Sequence, residues 1–317
     1  MKPADDNISR RKGLASETAA SSAITHALLR HVGDIVRDSG AAAVFVYADA
    51  LQGQTLDLSE DLQQITYYIT KTSAEDSSKQ KQKRNHLRVP NVSLTRLGQV
   101  KIAVFAALSR GLVKPGDVIV CLSGMAATGS LDTVVVMEVG REWEMFTTPT
   151  GDQTPAHTEP GVVEKVVEIA SALGAEGREG KPAGALFVLG DTERVRSLSR
   201  PLILNPFHGY PEADRNILSE NLEETVKELC SIDGAFLIRG DGVVEAAGVY
   251  LKTASQEEFD LPRGLGARHQ AAAAITSLCD CLAVAVSEST GKVTIFRSGR
   301  IITQLDKPNT ALTSRVY

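Results

Sequence analysis

The chain has 317 residues, of which 43% are hydrophobic and 23% are charged, a balance that is ordinary for a folded protein with a sizeable core. This length is about twice that of a typical domain and predicts one or two domains. The net charge of −5 and the pI of about 5.8 exclude a generally basic surface, so we expect no nucleic-acid partner.

The sequence shows neither a membrane span nor a secretory signal. The uncharged stretch Ala271–Cys279 is far shorter than the roughly 18–20 apolar residues of a membrane helix. The N-terminus is charged and lacks an apolar core region. Four scattered cysteines do not suffice for a disulfide framework. We therefore expect a soluble, cytoplasmic protein without a membrane partner.

The first half alternates predicted helices and strands. A helix is predicted from Ser16 to Gly40, followed by a buried strand at Ala42–Tyr47. A second helix ends at Gly111, and strands follow at residues 118–122 and 133–139. The first of these two strands is a continuous apolar run, which is typical of parallel sheets. The stripe that predicts the first helix consists of Ile24, Leu28, Val32 and Ile35.

Residues 71–91 interrupt this alternation and are nearly free of large apolar side chains before Leu87. A solvated surface loop is the favoured interpretation, and a site for an anionic ligand is the alternative. The segment carries the basic residues Lys79, Lys81, Lys83, Arg84 and Arg88.

A segment rich in Pro, Thr and Gly between Phe146 and Gly161 marks the predicted domain boundary and separates domains at 13–148 and 161–317. The second domain is predicted to contain a hairpin at residues 235–251 and an alanine-rich helix at Ala267–Leu278. We expect a mixed, largely antiparallel sheet with helices on its faces. The other predicted elements are helices at 163–170 and 222–229 and strands at 184–189, 282–286 and 292–296.

The segment Gly264–Gln270 carries the strongest chemical signal. Its two glycines let backbone approach a ligand, and the first N–H groups of the following helix attract an anion. Arg268 adds a planar cation suited to phosphate, at a helix start where the macrodipole disfavours positive charge. Local conflicts of this kind are commonest at functional sites. On these residues alone, a phosphate site and a glycine hinge with a surface arginine are equally supported.

Two further polar groups lie at predicted element ends. Asp233, next to Gly234, could accept a proton or bind a metal. Ser287 and Glu288 follow a strand and could face a phosphate and its divalent cation. Each signal is weak alone, but one sheet edge could gather both with Arg268. By contrast, Cys279 and Cys281 are predicted to be small buried residues, and His26 and His31 surface residues.

Together these residues resemble the diadenylate cyclase domain, especially its archaeal-type branch. The motifs that carry the resemblance are Asp233-Gly-Ala235, Gly264-Leu-Gly-Ala-Arg-His269 and Val286-Ser-Glu-Ser-Thr-Gly291, and the likeness runs from about residue 161 to 306. It implies an enzyme that joins two ATP molecules into cyclic di-AMP and releases two pyrophosphates, with Mn²⁺ or Mg²⁺. It also implies that two copies meet face to face, so self-association is required.

The resemblance also implies roles for individual residues. Asp233 would lie at the ribose and assist activation of the 3′-hydroxyl, and Glu288 would bind the metal with it. Gly234 and Leu251 would border the adenine, while Arg268, His269 and Ser287 would hold the phosphates. The implied catalytic residues are Asp233, Arg268 and His269. The implied nucleotide-binding residues are Gly234, Ala235, Leu251, Gly266, Ala267 and Ser287.

The chain departs from the family at two positions. Many members read Gly-Thr-Arg-His-Arg where this chain has Gly266-Ala-Arg-His-Gln270, so a hydroxyl and a second arginine are missing. These departures support the competing hypothesis, a module that senses ATP or cyclic di-AMP without catalysis. A DNA-scanning protein is a third reading, but no helix-hairpin-helix is visible and the charge is acidic.

The first half resembles, more loosely, the C-terminal domain of pyruvate kinase. The likeness rests on Gly111-Leu-Val-Lys-Pro-Gly-Asp117 and the strand regions 118–124 and 132–139. It implies an α/β domain with a mainly parallel sheet that serves oligomerisation or regulation.

Overall fold

A computed structural model describes most of the chain. The described residues are 23–51, 58–71, 85–92, 94–125, 130–140, 155, 158–252, 259, 261–262 and 264–307. The chain divides into two compact units, Met1–Val89 with Gly116–Val139, and Pro90–Pro115 with Gly140–Tyr317. This division assigns residues 90–115 to the second unit, whereas the predicted domains separate at the proline-rich segment. Most of that segment lies outside the described residues.

The first unit is built on a five-stranded sheet. Its strands are β1 (Ala43–Tyr47), β2 (Thr66–Thr70), β3 (Asn85–Arg88), β4 (Val118–Met125) and β5 (Ser130–Glu138). Their order is β3-β2-β1-β4-β5, and only β5 runs antiparallel to its neighbour. The predicted mainly parallel sheet is therefore present. All five residues of β1 are buried, in agreement with a strand covered on both faces.

The first described helix, α1 (23–39), differs in one respect from its predicted apolar stripe. Ile24 is 48% exposed, whereas Thr25 is fully buried. The reason is polar: the Thr25 hydroxyl donates to the Leu131 carbonyl at 3.3 Å and accepts from the Leu131 N–H at 3.0 Å. His26 and His31 are exposed, as predicted. A single helical turn, α2 (Glu60–Gln64), precedes β2.

The predicted loop at 71–91 is wrong over its last third, because β3 lies there. Leu87 is fully buried, and β3 pairs in parallel with β2 through Tyr67 and Asn85. Lys79, Lys81, Lys83 and Arg84 lie outside the described residues, and Arg88 is exposed on β3.

The second unit is built on a seven-stranded sheet flanked by helices. The helices are α3 (Arg96–Ser109), α4 (Pro160–Glu176), α5 (Thr192–Ser197), α6 (Glu220–Leu229) and α7 (Ala267–Leu278). The strands are β6 (Ala185–Gly190), β7 (Ser199–Pro201), β8 (Ala235–Ile238), β9 (Val244–Leu251), β10 (Cys281–Val286), β11 (Val293–Arg297) and β12 (Arg300–Leu305).

These strands form a mixed sheet in the order β12-β11-β10-β6-β8-β9-β7. Only the β6–β8 pair is parallel, so the predicted largely antiparallel sheet is confirmed. The sequence also correctly predicts the hairpin of β8 and β9 and both ends of α7. The short elements α5 and β7, and the edge strand β12, are not predicted.

Small side chains let α7 pack closely on the centre of this sheet. Ala272 and Ala273 of α7 belong to one buried cluster with Ala283 and Ala285 of β10. The other face of β10 packs against α4, because side chains alternate along a strand. Cys279 and Cys281 are buried and free, as predicted. Within the described ranges, no helix combines the length and apolarity that a membrane crossing requires.

Candidate active site

Four strands bring polar chain segments to one edge of the seven-stranded sheet. Strands β6 and β8 both begin at this edge, and β10 ends there, because Val286 pairs with Ala185. The C-terminal end of β9 lies at the same edge, since Val249 pairs with Ala235. The residues just outside these strand ends, Gly184, Asp233 and Glu288, are therefore neighbours.

The N-terminus of α7 places Arg268 between two of these neighbours. Its Nη1 donates to Glu288 Oε2 at 3.1 Å, and its Nη2 lies 4.0 Å from Asp233 Oδ1. The two carboxylates are open to solvent, with side-chain exposures of 87% for Asp233 and 60% for Glu288. We call these three residues the Arg268 cluster. The structure thus brings together three of the residues that the sequence singles out.

Gly184 is a site residue that sequence reasoning missed. A Cβ at this position would lie 2.5 Å from Arg268 Nη1 and 3.1 Å from Glu288 Cβ. The guanidinium therefore rests directly on bare backbone at the start of β6. The available signal was a glycine immediately before an apolar strand, at the level of the other site segments.

The start of α7 is open and has no side-chain cap. Gly266 is the N-cap residue, and nothing lies within 4 Å of the Cβ positions of Gly264 and Gly266. The N–H groups of His269 and Gln270 bond to the Gly266 carbonyl. The earlier N–H groups have no partner within the helix, which is the usual arrangement of an anion site. Ala267 and Gln270 are exposed here.

His269 is oriented away from this opening. Its side chain is buried and contacts Phe296 edge-on, with ring centroids 6.0 Å apart. Nε2 is buried and has no hydrogen-bond partner among the described residues. Burial, and secondarily the charge of Arg268, lowers the pKa of His269, so the ring is neutral at pH 7. The structure does not bring this ring to the exposed Arg268 cluster.

The β8–β9 hairpin carries the residues that are predicted to border the adenine. Gly234 has φ of +109°, and a Cβ there would lie 2.6 Å from the Val249 nitrogen. Ala235 and Leu251 are buried in the core. Tyr250, which sequence reasoning missed, is 50% exposed, and the Arg200 guanidinium lies 4.8 Å from its ring centroid. Alternation along β9 was the signal for this exposed ring.

Ser287 organises the turn that follows β10. Its N–H bonds to the Lys292 carbonyl at 2.9 Å, and its carbonyl accepts from Gly291 at 2.8 Å. Its hydroxyl lies 3.3 Å from both the Ser289 hydroxyl and the Thr290 N–H. This turn positions Glu288 beside Arg268 and leaves the Ser287 hydroxyl half-buried at the same edge.

The residues that could hold a divalent cation are Asp233 and Glu288. Among the described residues, no group of three or more His, Cys, Asp or Glu side chains gathers at one place. Mg²⁺ is often bound by one or two carboxylates together with substrate phosphates, so a pair is chemically sufficient. The guanidinium between the two carboxylates occupies a position suited to a cation, so the donor set fits the metal.

A cavity of about 480 Å³ elsewhere in the second unit lies under the segment that follows β7. Several of its polar lining groups are already paired. Arg196 bonds to Glu245 at 2.7 Å, and the Asn205 amide donates to the Glu245 carbonyl at 2.8 Å. Arg215 donates to two carbonyls. Because these groups bond to the protein itself, they stabilise the segment and do not compose a second charged cluster.

Comparison with known proteins identifies both halves of the chain. Residues 172–301 match the family described as the DisA bacterial checkpoint controller nucleotide-binding domain. Residues 25–147 match the family described as the probable sensor domain DacZ_P. The resemblance of the first half to pyruvate kinase is not confirmed by these matches.

Two diadenylate cyclases are similar to this chain over most of its length. That of Methanocaldococcus jannaschii is 38% identical over 208 residues, which cover 65% of this chain and 66% of that protein. That of Haloferax volcanii is 35% identical over 216 residues, which cover 66% of this chain and 75% of that protein. The crystal structure of DacA from Staphylococcus aureus is 24% identical, with a TM-score of 0.34 over 49% of this chain and 92% of that chain.

Residues 172–301 of the second unit accordingly form a nucleotide-binding domain, and the chain is an enzyme of the nucleotidyltransferase class. It belongs to the diadenylate cyclase family, whose members synthesise cyclic di-AMP.

Proposed function

We propose that this chain joins two ATP molecules into cyclic di-AMP and releases two pyrophosphates, using the Arg268 cluster of each of two copies. The observation that carries the proposal is the convergence of Asp233, Arg268 and Glu288 at one sheet edge. Each of the two carboxylates lies within 4.0 Å of the Arg268 guanidinium. These groups come from three separate motifs of the sequence. Phosphoryl transfer depends mainly on positioning and charge neutralisation, which this cluster offers.

Each bond-forming step consumes one ATP hydroxyl and one ATP α-phosphorus. The 3′-hydroxyl oxygen of one ATP attacks the α-phosphorus of the other, and the bond from that phosphorus to pyrophosphate breaks. Asp233, which is exposed beside Gly234, assists removal of the hydroxyl proton. In the second step the 3′-hydroxyl of the other nucleotide attacks the α-phosphorus of the first, a second pyrophosphate leaves, and the ring closes. Because each copy holds one ATP, two copies must face each other.

The phosphates are assigned to the open start of α7. Arg268 presents a planar cation there, and the uncapped N–H groups add partial positive charge. The Ser287 hydroxyl, at the same sheet edge, is the neighbouring neutral donor. His269, being buried, would support this helix start from beneath, and its catalytic assignment stays a prediction. Adenine would lie against the backbone of Gly234, Ala235 and Leu251.

The divalent cation, Mn²⁺ or Mg²⁺, is assigned to Asp233 and Glu288. When bound, it supplies neutralisation of the negative charge that builds up on the phosphates. Carboxylate oxygens suit both metals, so the residues do not discriminate between them.

The first unit is assigned a regulatory role. Its match to a probable sensor domain supports this assignment. We retain the domain limits 13–148 and 161–317, and oligomerisation through the first domain, as proposals.

The test is incubation of the purified full chain with ATP and either Mn²⁺ or Mg²⁺, with identification of the product by mass. We expect cyclic di-AMP and pyrophosphate, with specific activity that falls on dilution because two copies are needed. Bound but unchanged ATP, across metals and protein concentrations, would instead support the sensing hypothesis. The missing hydroxyl at Ala267 and missing cation at Gln270 are the observations that favour that second candidate.

A further inference from the structure

Arg268 occupies the place that the proposed function gives to a metal ion. Its guanidinium contacts Glu288 at 3.1 Å and approaches Asp233 at 4.0 Å, and these are the two carboxylates assigned to the cation. We propose that Arg268 is an internal counter-ion that competes with the divalent cation for Glu288. The proposal rests on the proposed function and adds an order of events to it.

The position of the arginine is built into the fold. Gly184 leaves the space that the guanidinium fills, since a Cβ there would lie 2.5 Å from Nη1 and 3.0 Å from Cζ. Gly184 is not among the residues with positive φ, so an alanine could adopt its backbone conformation. What forbids a side chain at this position is therefore the arginine itself, together with Glu288.

Arg268 is also incompletely paired. Among the described residues it donates one hydrogen bond, from Nη1 to Glu288, and its side chain is 32% exposed. Its remaining N–H groups can donate hydrogen bonds to phosphate oxygens. A single positive charge between two carboxylates leaves a net negative charge, which continues to attract a divalent cation.

Competition follows from these contacts. A metal ion bound to Glu288 would lie beside the guanidinium that bonds to the same carboxylate, and the two cations would repel each other at this distance. Arg268 would therefore leave Glu288 when a divalent cation binds to the two carboxylates. Its guanidinium would then donate to the phosphates of the incoming nucleotide. Metal and nucleotide would then bind cooperatively, because each favours the same arginine position.

The experiment measures Mn²⁺ affinity without nucleotide, from the free Mn²⁺ signal in electron paramagnetic resonance. Arg268→Ala is expected to bind Mn²⁺ about tenfold more tightly than the wild type, from removal of a nearby repulsive charge and a competing partner. Arg196→Ala is the matched control. It removes one positive charge from the ion pair of Arg196 with Glu245, which lies outside the cluster, and should leave the Mn²⁺ affinity unchanged.

Gly184→Ala separates competition from a general effect of charge. It keeps the arginine but displaces it from Glu288, so Mn²⁺ binding should again tighten. Glu288→Gln should weaken it. Equal or weaker Mn²⁺ binding by Arg268→Ala, or no binding to any variant, would overturn the proposal. Wild-type synthesis of cyclic di-AMP is measured separately, so the proposed function can stand when this inference fails.

Discussion

The two ends of β8 each carry an arginine between two carboxylates, but the two clusters differ in how completely they are paired. Arg239, just after β8, donates to both Glu212 oxygens at 2.9 and 2.7 Å and to both Asp241 oxygens at 2.7–3.1 Å. Arg268, near the start of β8, donates one hydrogen bond to Glu288 among the described residues. Arg239 is therefore hydrogen-bonded through all three of its nitrogens, whereas Arg268 is hydrogen-bonded through one.

This difference separates a structural cluster from a functional one. The bonds from Glu212 and Asp241 raise the pKa of Arg239, and the same guanidinium lowers the pKa of both carboxyls. All of that binding capacity serves the protein. At Arg268, the unused N–H groups and two exposed carboxylates remain available to a ligand. An arginine flanked by acids therefore indicates function only when its donors are left over.

Removal of each arginine in turn should separate a catalytic role from a structural one. Arg268→Ala should lower cyclic di-AMP synthesis by about 10³-fold, the scale of losing an arginine that contacts a transferring phosphoryl group. Its melting temperature should be nearly unchanged. Arg239→Ala should show the reverse pattern, with near-normal turnover and a melting temperature lower by about 2 °C. Turnover assays and thermal unfolding of both variants decide, and equal loss of turnover in both would contradict the distinction.

The two ends of β8 also differ in how tightly their glycines, Gly234 and Gly242, are packed. Gly234 has φ of +109°, and its Cβ would meet backbone atoms of Gly248 and Val249 within 2.9 Å. Gly242 has φ of +94°, and its closest neighbour is the Asn216 side chain at 2.6 Å rather than backbone. Gly234→Ala should therefore cost about 3 kcal/mol of unfolding free energy and Gly242→Ala about 1 kcal/mol. Denaturant titrations measure both, and equal costs would show that the backbone contact at Gly234 is unimportant.

A smaller effect is expected from the buried histidine beneath the Arg268 cluster. Burial lowers the pKa of His269 below that of the unfolded chain, which is about 6.5. Its contribution to stability is therefore complete above that pH and is lost as the pH falls through the folded pKa. The melting temperature should drop between pH 7 and pH 5, and less steeply in His269→Asn. His208→Asn, at an exposed position, should keep the wild-type slope, and a wild-type slope in His269→Asn would contradict the assignment.

The smallest predicted effect concerns the departure from the family at the start of α7. Ala267 is exposed, so Ala267→Thr adds a hydroxyl near the open N–H groups without disturbing the core. We expect ATP to bind about two- to fivefold more tightly, the scale of one neutral hydrogen bond. Equilibrium binding of ATP to both proteins measures this. Ala267→Val, which adds bulk without the hydroxyl, is the control and should give no gain.

Much of the second unit could be predicted from sequence because local and global signals agree there. The alanine-rich helix α7 begins directly after Gly266, and the continuous apolar run of β10 is typical of a strand buried on both faces. Short elements of both units were not predicted, because their local sequence signals are weak. Strand β7 has only three residues, two of them exposed, and is defined by pairing with distant β9. Strand β3 likewise depends on its neighbour β2 and has three exposed residues of four.

The charged residues of the candidate site could be predicted from the sequence, but the way in which its residues pack against one another could not. Asp233, Arg268 and Glu288 stand out because charged residues at element ends seldom serve the core. His269 follows Arg268 directly, yet helical geometry turns its ring inward, which spacing alone did not reveal. The place of Gly184 in the site depends on its contact with the distant Arg268, which no local pattern encodes.

The central claim is that the Asp233 end of β8 is the catalytic end. The most direct measurement compares cyclic di-AMP formation by the wild type, Asp233→Ala and Asp241→Ala, at equal folded concentration with ATP and Mn²⁺. We predict that Asp233→Ala forms no detectable product, while Asp241→Ala, at the Arg239 end, forms it at a rate close to that of the wild type. Retained synthesis in Asp233→Ala would contradict the claim.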